Sequence, residues 1–360
     1  MSDGIEHRKG DHLTLCAEGD VGFRGASTLL DGVRLVHDSL PELAMDEVDL
    51  GVELFGKKLR APIVIASMTG GTDEAGRINR ELASIAEERG YGFGLGSQRA
   101  MMVRPETRAS FLVRDAAPSA LLLGNLGVVQ ARSMKTAEVQ GLVDEVGADA
   151  LCIHLNPAME LVQPGGDRDF RGALDTIARL SKELRVPVIV KETGCGISPD
   201  VARRALGVGA SAIDVSGAGG TSWVGVETLR AEQQGDARAR ALGEALWDWG
   251  IPTAVCVAAI APLGAPVIAT GGIGTGLDAA RAIALGARAV GIARPALKAL
   301  QSGGRAGAVA FLEGVEAELR AAMLLTGSRD LRALRKAPRV LSNELLVWLR
   351  QLAVKDAAGG

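Results

Sequence analysis

The amino-acid sequence predicts an α/β protein of the (β/α)8 TIM barrel class, with an N-terminal extension and C-terminal helices. Eight short apolar runs, each followed by an amphipathic stretch, fill the chain between residues 62 and 325. These runs are apolar at nearly every position, as is typical of strands that a parallel sheet buries on both faces. Eight strand–helix units in one chain match a closed barrel. A doubly wound open sheet is the alternative.

The strand–helix units follow one another in order along the chain. Each apolar run ends in small or polar residues before the next amphipathic stretch begins. We expect a single domain, 1–360, in which 1–60 is the N-terminal extension, 61–325 the barrel and 326–360 a helical tail. The two extensions would cap a barrel end or make subunit contacts. The predicted strands lie at 62–71, 91–99, 119–127, 149–156, 187–194, 211–220, 266–272 and 288–295.

Composition and charge exclude several classes of function. Hydrophobic residues make up 47% of the chain, charged residues 23%, and the net charge is −3. No basic excess or aromatic-rich basic surface indicates a nucleic-acid partner. The four cysteines lack CxxC spacing and the histidines lack HExxH spacing, which predicts neither disulfides nor zinc and favours a reducing, cytoplasmic setting.

No membrane partner is expected either. The N-terminus is polar and carries no apolar segment typical of a signal peptide. Residues 250–277 carry no charge, and a stretch of this length could span a membrane. Three prolines interrupt this stretch, and five glycines follow Leu263. Proline and glycine at that density predict turn, strand and turn instead of one helix.

Polar residues finish almost every predicted strand. In a TIM barrel the active site lies at the carboxyl ends of the strands, so these residues form the candidate site. The glycine-rich loop that follows the seventh strand fits a phosphate, because glycine lets backbone amides approach closely and the next helix adds its positive end. In strand order the residues are Ser67, Met68, Thr69; Ser97, Gln98, Arg99; Asn125; His154, Asn156; Lys191; Ser216, Thr221; Gly272, Ile273, Gly274; Ala293 and Arg294.

Lys191 ends a buried strand, where lysine is rarely found without a partner or a function. One interpretation is an ion pair with Glu192 or Asp214 at the edge of the core. The functional interpretations are a Schiff-base amine or a cation beside the electron-poor end of a flavin ring, where it would stabilise the reduced anionic form. The functional interpretations are favoured.

Two further charged groups have structural and functional interpretations. Arg8, Lys9 and His12 are either part of a solvated tail or, joined by Arg99, a cationic arm over a diphosphate. Glu160 is either a surface glutamate at a helix start or one carboxylate for a Mg2+ ion that also binds substrate phosphate.

The motifs in combination resemble one known family, the type 2 isopentenyl diphosphate isomerases, over roughly residues 5 to 345. The resemblance implies a homo-oligomeric barrel, a tetramer or octamer, with FMN, Mg2+ and NAD(P)H as the reductant of the flavin. The family interconverts isopentenyl and dimethylallyl diphosphate, a small diphosphate substrate. The motifs, in order, are RKGDHL, SMTGG, GSQR, GNLG, IHLNPxxE, PxGDRDF, VKETGxG, SGAGGTSW and ATGGIG.

The resemblance also implies roles for individual residues. Glu160 would bind Mg2+. The diphosphate substrate would lie against Arg8, Lys9, His12, Ser97, Gln98, Arg99, His154 and Asn156, with Met159 beside it. FMN would be held by Ser67, Met68, Thr69, Ser97, Asn125, Lys191, Ser216, Thr221, Gly272, Ile273, Gly274, Ala293 and Arg294.

Two nearby positions depart from the family pattern. Met159 stands where the family usually has Gln before the metal-binding Glu, and Gly165 follows Pro164 where the family often has Glu. Methionine presents a polarizable apolar surface in place of an amide donor and acceptor. A repurposed or weakly active flavin-binding homologue is therefore an alternative function.

An allylic 1,3-proton shift is physically consistent with these residues. A dry pocket keeps water from the developing positive charge, and an anionic reduced flavin stabilises that charge. No side-chain acid–base pair is evident, so the flavin N5 is favoured as the proton donor and acceptor over a side chain. An FMN 2-hydroxyacid oxidase is a further alternative, but that chemistry needs a histidine base and arginines near the sixth strand, and SGAGGTSW offers neither.

Overall fold

The computed structural model describes residues 2–357 of the chain, and the side chains of residues 10–353. Ahead of the barrel lie α1 (Ser2–Glu18), β1 (Val33–Leu35) and the antiparallel hairpin of β2 (Val52–Leu54) and β3 (Lys57–Leu59). The first half of the barrel consists of β4 (Ile63–Ile65), α2 (Asp73–Arg89), β5 (Gly92–Gly94), α3 (Arg99–Val103), β6 (Leu121–Gly127), α4 (Val128–Ser133), α5 (Thr136–Val146), β7 (Ala150–Leu155), α6 (Pro157–Val162) and α7 (Ala173–Glu183).

The second half completes the ring and leads into the C-terminal elements. It comprises β8 (Val188–Glu192), α8 (Pro199–Gly207), β9 (Ala212–Asp214), α9 (Trp223–Gln233), α10 (Ala237–Leu246), α11 (Thr253–Ile260), β10 (Val267–Thr270), α12 (Gly276–Ala284), β11 (Ala289–Ile292) and α13 (Arg294–Leu324), followed by α14 (Leu331–Lys336), β12 (Arg339–Leu341) and α15 (Asn343–Ala357).

The predicted barrel is confirmed. Strands β4 to β11 pair in parallel in sequence order, and β11 returns to pair with β4, so the sheet closes. Each of the eight predicted strands contains one of these strands. Since parallel strands all end at the same side of a barrel, the polar strand ends of the sequence meet at one rim.

The barrel interior is a separate apolar cluster from the layer between strands and helices. It contains inward-facing residues of the strands such as Val64, Leu123 and Ile189, and Leu54 and Leu59 of the β2–β3 hairpin join it. Because β3 leads directly into the start of β4, the hairpin fills the interior from the amino ends of the strands. The opposite end is left for a cavity.

Two expectations about local structure are corrected. Within the uncharged stretch, residues 253–260 form the helix α11, which the sequence was expected not to contain. Pro252 stands at its N-cap, where proline does no harm, and most of the helix is buried, so it needs no polar face. The C-terminal tail is not purely helical, because β12 pairs antiparallel with β1 and ties the tail to the N-terminal extension. Among the described residues, no helix combines the length and apolar character that crossing a membrane requires.

Candidate active site

A cavity of about 390 Å3 opens at the carboxyl ends of the barrel strands. It brings together most of the residues that the strand ends predicted. The predicted residues that line it are His12, Ser67, Met68, Thr69, Ser97, Arg99, Asn125, His154, Asn156, Met159, Glu160, Lys191, Ser216, Thr221, Gly272, Ile273, Ala293 and Arg294.

Of the remaining predicted site residues, two lie outside the described side chains and two do not line this cavity. Arg8 and Lys9 lie outside the side chains that the structure describes. Gly274 is not in the lining, and its backbone N–H donates to Asp278 Oδ2 at 3.2 Å. The expected contact of the Gln98 side chain with substrate does not match its position, because that side chain is fully buried behind the cavity.

Gln98 has a structural role instead. Its Nε2 donates to the backbone oxygen of Leu142 at 3.1 Å, and its Oε1 accepts from the backbone N–H of Asn125 at 3.0 Å. The carboxamide therefore connects β6 with α5. Its neighbours in the GSQR motif, Ser97 and Arg99, do face the cavity.

One wall of the cavity, which we call the glycine side, consists of Gly217, Gly220 and Thr221 after β9 and of residues 271–273 after β10. Gly271 and Gly272 have φ values of +102° and +72°, in the left-handed region that favours glycine. A Cβ on Gly220 would clash with the backbone nitrogen of Gly272 and lie 2.9 Å from its Cα. The two loops touch backbone to backbone, so this wall has no room for added side-chain volume.

Thr270, at the end of β10, supplies an unsatisfied polar group at the glycine side. Thr270 lines the cavity, and its buried hydroxyl has no hydrogen-bond partner within the part of the chain that the structure describes. Buried hydroxyl groups are nearly always paired, so a ligand with polar atoms fits this position.

The floor of the cavity carries the Lys191 ammonium group. Lys191 and Asp214 are opposite one another on β8 and β9, with Nζ 3.0 Å from Asp214 Oδ2. Of the two partners that the sequence allowed, Asp214 is therefore the one that pairs with the ammonium. The ion pair does not hide the lysine, because Lys191 still lines the cavity.

His154 stands next to Lys191, on the adjacent strand β7, and its Nδ1 lies 2.8 Å from Asn125 Oδ1. Burial lowers the pKa of His154 to about 4, and the positive charges of Lys191 and Arg99 act in the same direction. The imidazole is therefore neutral near pH 7, with one nitrogen as donor and the other as acceptor.

A second wall, which we call the ionic side, is formed by His12, Arg99, Asn156 and Glu160. Asn156 Nδ2 donates to Glu160 Oε1 at 2.9 Å, and the backbone N–H of Asp167 donates to Glu160 Oε2 at 2.7 Å. Glu160 is buried and is not the surface glutamate of the alternative interpretation. Gln163 Nε2 also donates to Glu160 Oε2, at 3.4 Å, so three donors set the orientation of the carboxylate while Glu160 still faces the cavity.

Helix α1 completes the ionic side, and an ionic network holds it against α9. His12 Nε2 lies 2.7 Å from Glu227 Oε1, Arg230 Nη1 donates to Glu227 Oε2 at 2.6 Å, and Arg230 Nε donates to Asp11 at 3.1 Å. At the other end of the helix, Arg294 donates to the backbone oxygens of Cys16 and Gly19. The N-terminal segment from His12 onwards is therefore a docked wall of the cavity and not a solvated tail.

Comparison with known proteins identifies the family. The chain is 46% identical over 359 residues to an isopentenyl-diphosphate delta-isomerase of Methanosarcina acetivorans, covering 99% of this chain and 98% of that protein. It is 48% identical over 340 residues to the protein of the same name from a Synechococcus species, covering 94% and 96%. The chain belongs to the isopentenyl-diphosphate delta-isomerase family. The resemblance to the type 2 isomerases is thereby confirmed.

Residues 158–341 of this isomerase-family chain also match the family described as FMN-dependent dehydrogenase. Solved structures with the same fold include a mandelate oxidase with an FMN adduct, at a TM-score of 0.63 and 21% identity, covering 91% of this chain and 95% of that one. A lactate oxidase of Pediococcus acidilactici has a TM-score of 0.67 and 18% identity, with 94% of each chain covered. At such identities these oxidases support the fold alone.

Several residues at the cavity of the isomerase-family chain were not predicted. Trp223 lines it and meets the His12 ring edge-on at 5.2 Å, and its place at the end of SGAGGTSW was a usable signal. Gln130, Gln163 and Thr193 also line the cavity. Thr193 directly follows the predicted Lys191–Glu192 strand end, whereas nothing in the sequence distinguished the two glutamines from surface residues.

Proposed function

We propose that this protein interconverts isopentenyl and dimethylallyl diphosphate by an allylic 1,3-proton shift, on reduced FMN and with Mg2+. The observation that carries the proposal is the single cavity that joins a glycine side, the Lys191 ammonium and the ionic side. Its volume of about 390 Å3 lies in the range of cofactor and small-molecule sites. Near full-length identity to isomerases of that name supports the reaction.

FMN fits the glycine side and the floor of the cavity. Gly272 and Ile273 would hold its phosphate through backbone amides, together with Ala293 and Arg294 after β11. Lys191 would lie against the electron-poor end of the ring, and the Thr270 hydroxyl would gain a partner. Bound FMN, once reduced by NAD(P)H, would supply the negative charge and the proton-transferring atom for the shift.

Mg2+ fits the ionic side only as an ion shared with substrate. Among the described residues, no group of three or more His, Cys, Asp or Glu side chains could hold a metal. Glu160 provides one buried carboxylate, and Mg2+ typically combines one or two carboxylates with substrate phosphates and water. The diphosphate would thus complete the coordination sphere, and Arg99 and His12 would balance its remaining charge.

The chain's own residues would then orient the substrate and exclude water. Asn156 and the backbone of Asp167 hold Glu160 in place, and the neutral His154 offers a polar contact that does not add charge. Leu13, Met159 and Trp223 line the cavity with apolar surface, which keeps water from the developing carbocation-like charge. We also propose a cytoplasmic homo-oligomer, a tetramer or octamer, which sedimentation analysis would test.

The deciding experiment is an anaerobic assay of purified protein. The protein is expected to be yellow and, once reduced by NADH or NADPH with Mg2+ present, to convert isopentenyl into dimethylallyl diphosphate, which proton NMR detects. Oxidised protein and protein with EDTA serve as controls and should not turn over. A colourless protein that cannot be reconstituted with FMN would contradict the flavin proposal. A flavoprotein that releases peroxide from lactate would be an oxidase.

A further inference from the structure

The floor of the cavity rests on an ion pair that is buried on both sides. The side chains of Lys191 and Asp214 are each 6% exposed, and Nζ lies 3.0 Å from Asp214 Oδ2. The two residues differ in one respect: Lys191 lines the cavity, whereas Asp214 does not. Asp214 can therefore influence a ligand in the cavity only through its ion pair with Lys191.

Asp214 has few contacts that would explain a purely structural role. Its second oxygen, Oδ1, is buried and has no hydrogen-bond partner among the described residues. A buried carboxylate is costly unless it is paired and hydrogen-bonded. The Lys191 ammonium is the one ion-pair partner that Asp214 has in the described part of the chain.

The charge of Lys191 acts inside the cavity. The pKa of His154, one strand away, is lowered by burial and further by the Lys191 charge. An ammonium group has three N–H donors, and one of them points to Asp214, which leaves two for a ligand. A cation of this kind stabilises an anion in the cavity, and the reduced flavin ring is such an anion.

We propose that Asp214 is a positioning residue that holds the Lys191 ammonium directed into the cavity, and thereby sets the reduction potential of FMN bound there. This inference rests on the FMN binding proposed above. Asp214 is the ion-pair partner of Lys191 in the described part of the chain, and both side chains are buried. Without Asp214, the ammonium would leave its place at the floor of the cavity, and the reduced flavin would lose its fixed cation.

The test is a double-mutant cycle on the FMN-loaded protein. The midpoint potential is measured for the wild type, Asp214→Asn, Lys191→Met and the double variant. Lys191→Met removes the cation and should weaken binding of reduced relative to oxidised FMN about tenfold or more, which is about 30 mV for a two-electron couple. Asp214→Asn should lower the potential in the same direction, and should have no further effect when Lys191 is already Met.

Three results would overturn the proposal. They are an unchanged potential in Asp214→Asn, a raised potential in Asp214→Asn, and fully additive effects of the two substitutions. A raised potential would mean that Asp214 only offsets the charge of a lysine that stays in place without it. Asp214→Ser is a second neutral variant if Asp214→Asn does not fold, and Asp214→Glu should restore the wild-type potential. Cys152→Ala, a buried uncharged neighbour of the pair, controls for altered packing. Failure of the wild type to bind FMN would refute the proposed function instead.

Discussion

The two walls of the cavity are built by different means. On the glycine side, the loops after β9 and β10 meet through their backbones, and the glycines there have no room for a Cβ. On the ionic side, side chains from α1, α3 and α6 define the surface, and buried hydrogen bonds orient them. The first wall is therefore sensitive to added volume, and the second to lost charge.

This difference also separates the tasks of the two walls. A surface of backbone amides fits a group that stays bound, because it recognises shape and phosphate with few adjustable parts. A surface of charged side chains fits a group that enters and leaves at each turnover. Substitutions on the glycine side should therefore change FMN affinity, and those on the ionic side should change turnover and the Mg2+ requirement.

The largest effect is expected for Glu160→Gln on the ionic side. The amide removes the one carboxylate proposed for Mg2+, and a metal ion stabilises transition-state charge by several kcal/mol. We expect kcat/KM to fall about 100-fold or more, since each 1.36 kcal/mol is tenfold, and the Mg2+ concentration at half-activity to rise. Steady-state assays with varied Mg2+ measure both. FMN affinity should stay within about twofold.

The matched control for Glu160→Gln is Glu74→Gln, which makes the same change on an exposed residue of α2. It should leave activity and the Mg2+ dependence as they are. Equal Mg2+ dependence of Glu160→Gln and wild type would assign the metal to other ligands.

On the glycine side, Gly220→Ala should have the second largest effect. The new Cβ would clash with the backbone of Gly272, so one of the two loops must move. Overpacking of this kind costs about 1–3 kcal/mol, and we expect the dissociation constant of FMN to rise about 10- to 100-fold. Fluorescence titration of the apoprotein measures it.

Gly274→Ala is the control in the same loop. Its Cβ would meet nothing closer than Asp278 Oδ2 at 3.9 Å, so FMN affinity should be nearly unchanged. If both alanines weaken FMN binding equally, close backbone contact is not what makes this wall.

The contrast between the two walls also explains which parts of the fold and of the site could be predicted from the sequence. Apolar runs and glycine motifs predicted the barrel and the glycine side, because both depend on residues that are near one another in the chain. Gln98 was misplaced because its direction depends on Leu142, in a helix beyond the next strand. The network that docks α1 joins His12 to Glu227, 215 positions apart, and no local pattern signals such a contact.

Glu192 ends β8, which lies between β7 and β9 in the barrel, and we expect its buried carboxyl group to make the stability of the fold depend on pH. Its Oε2 accepts three successive backbone N–H groups, from Thr193 at 2.7 Å, Gly194 at 2.6 Å and Cys195 at 2.5 Å, and so shapes the loop after β8. Burial raises the pKa of Glu192 to about 7, although these donors and Lys191 oppose the shift. The pKa of Glu192 is higher in the folded than in the unfolded protein. The contribution of Glu192 to the free energy of unfolding is therefore complete below pH 4.5 and is lost as the pH rises through 7.

Comparison of Glu192→Gln with wild type isolates this contribution. The lowered pKa of His154 has the opposite effect, because it makes the wild type more stable as the pH rises from 4 to 6.5. In the wild type alone, this effect would hide the loss of stability that Glu192 causes over the same pH range. The unfolding free energy of Glu192→Gln minus that of wild type should rise by at most about 3 kcal/mol between pH 4.5 and 7.5. Urea melts at several pH values measure it. A difference that is independent of pH would contradict the prediction.

The smallest effect is expected for Met159→Gln, at the residue that departs from the family pattern. Met159 lines the ionic side, and its sulfur lies 4.0 Å from Asn156 Nδ2, too far and too weak an acceptor to orient that amide strongly. Asn156 is already held by Glu160 at 2.9 Å, so the wall keeps its arrangement without an amide at position 159. One additional hydrogen bond to substrate contributes about 0.5–1.5 kcal/mol, so kcat/KM should rise about tenfold at most. Met159→Leu, an apolar replacement of similar volume, should change it less. If turnover were absent in wild type and present only in Met159→Gln, the methionine would indicate a homologue whose ionic side binds a different substrate. The glycine side of such a protein would still bind FMN.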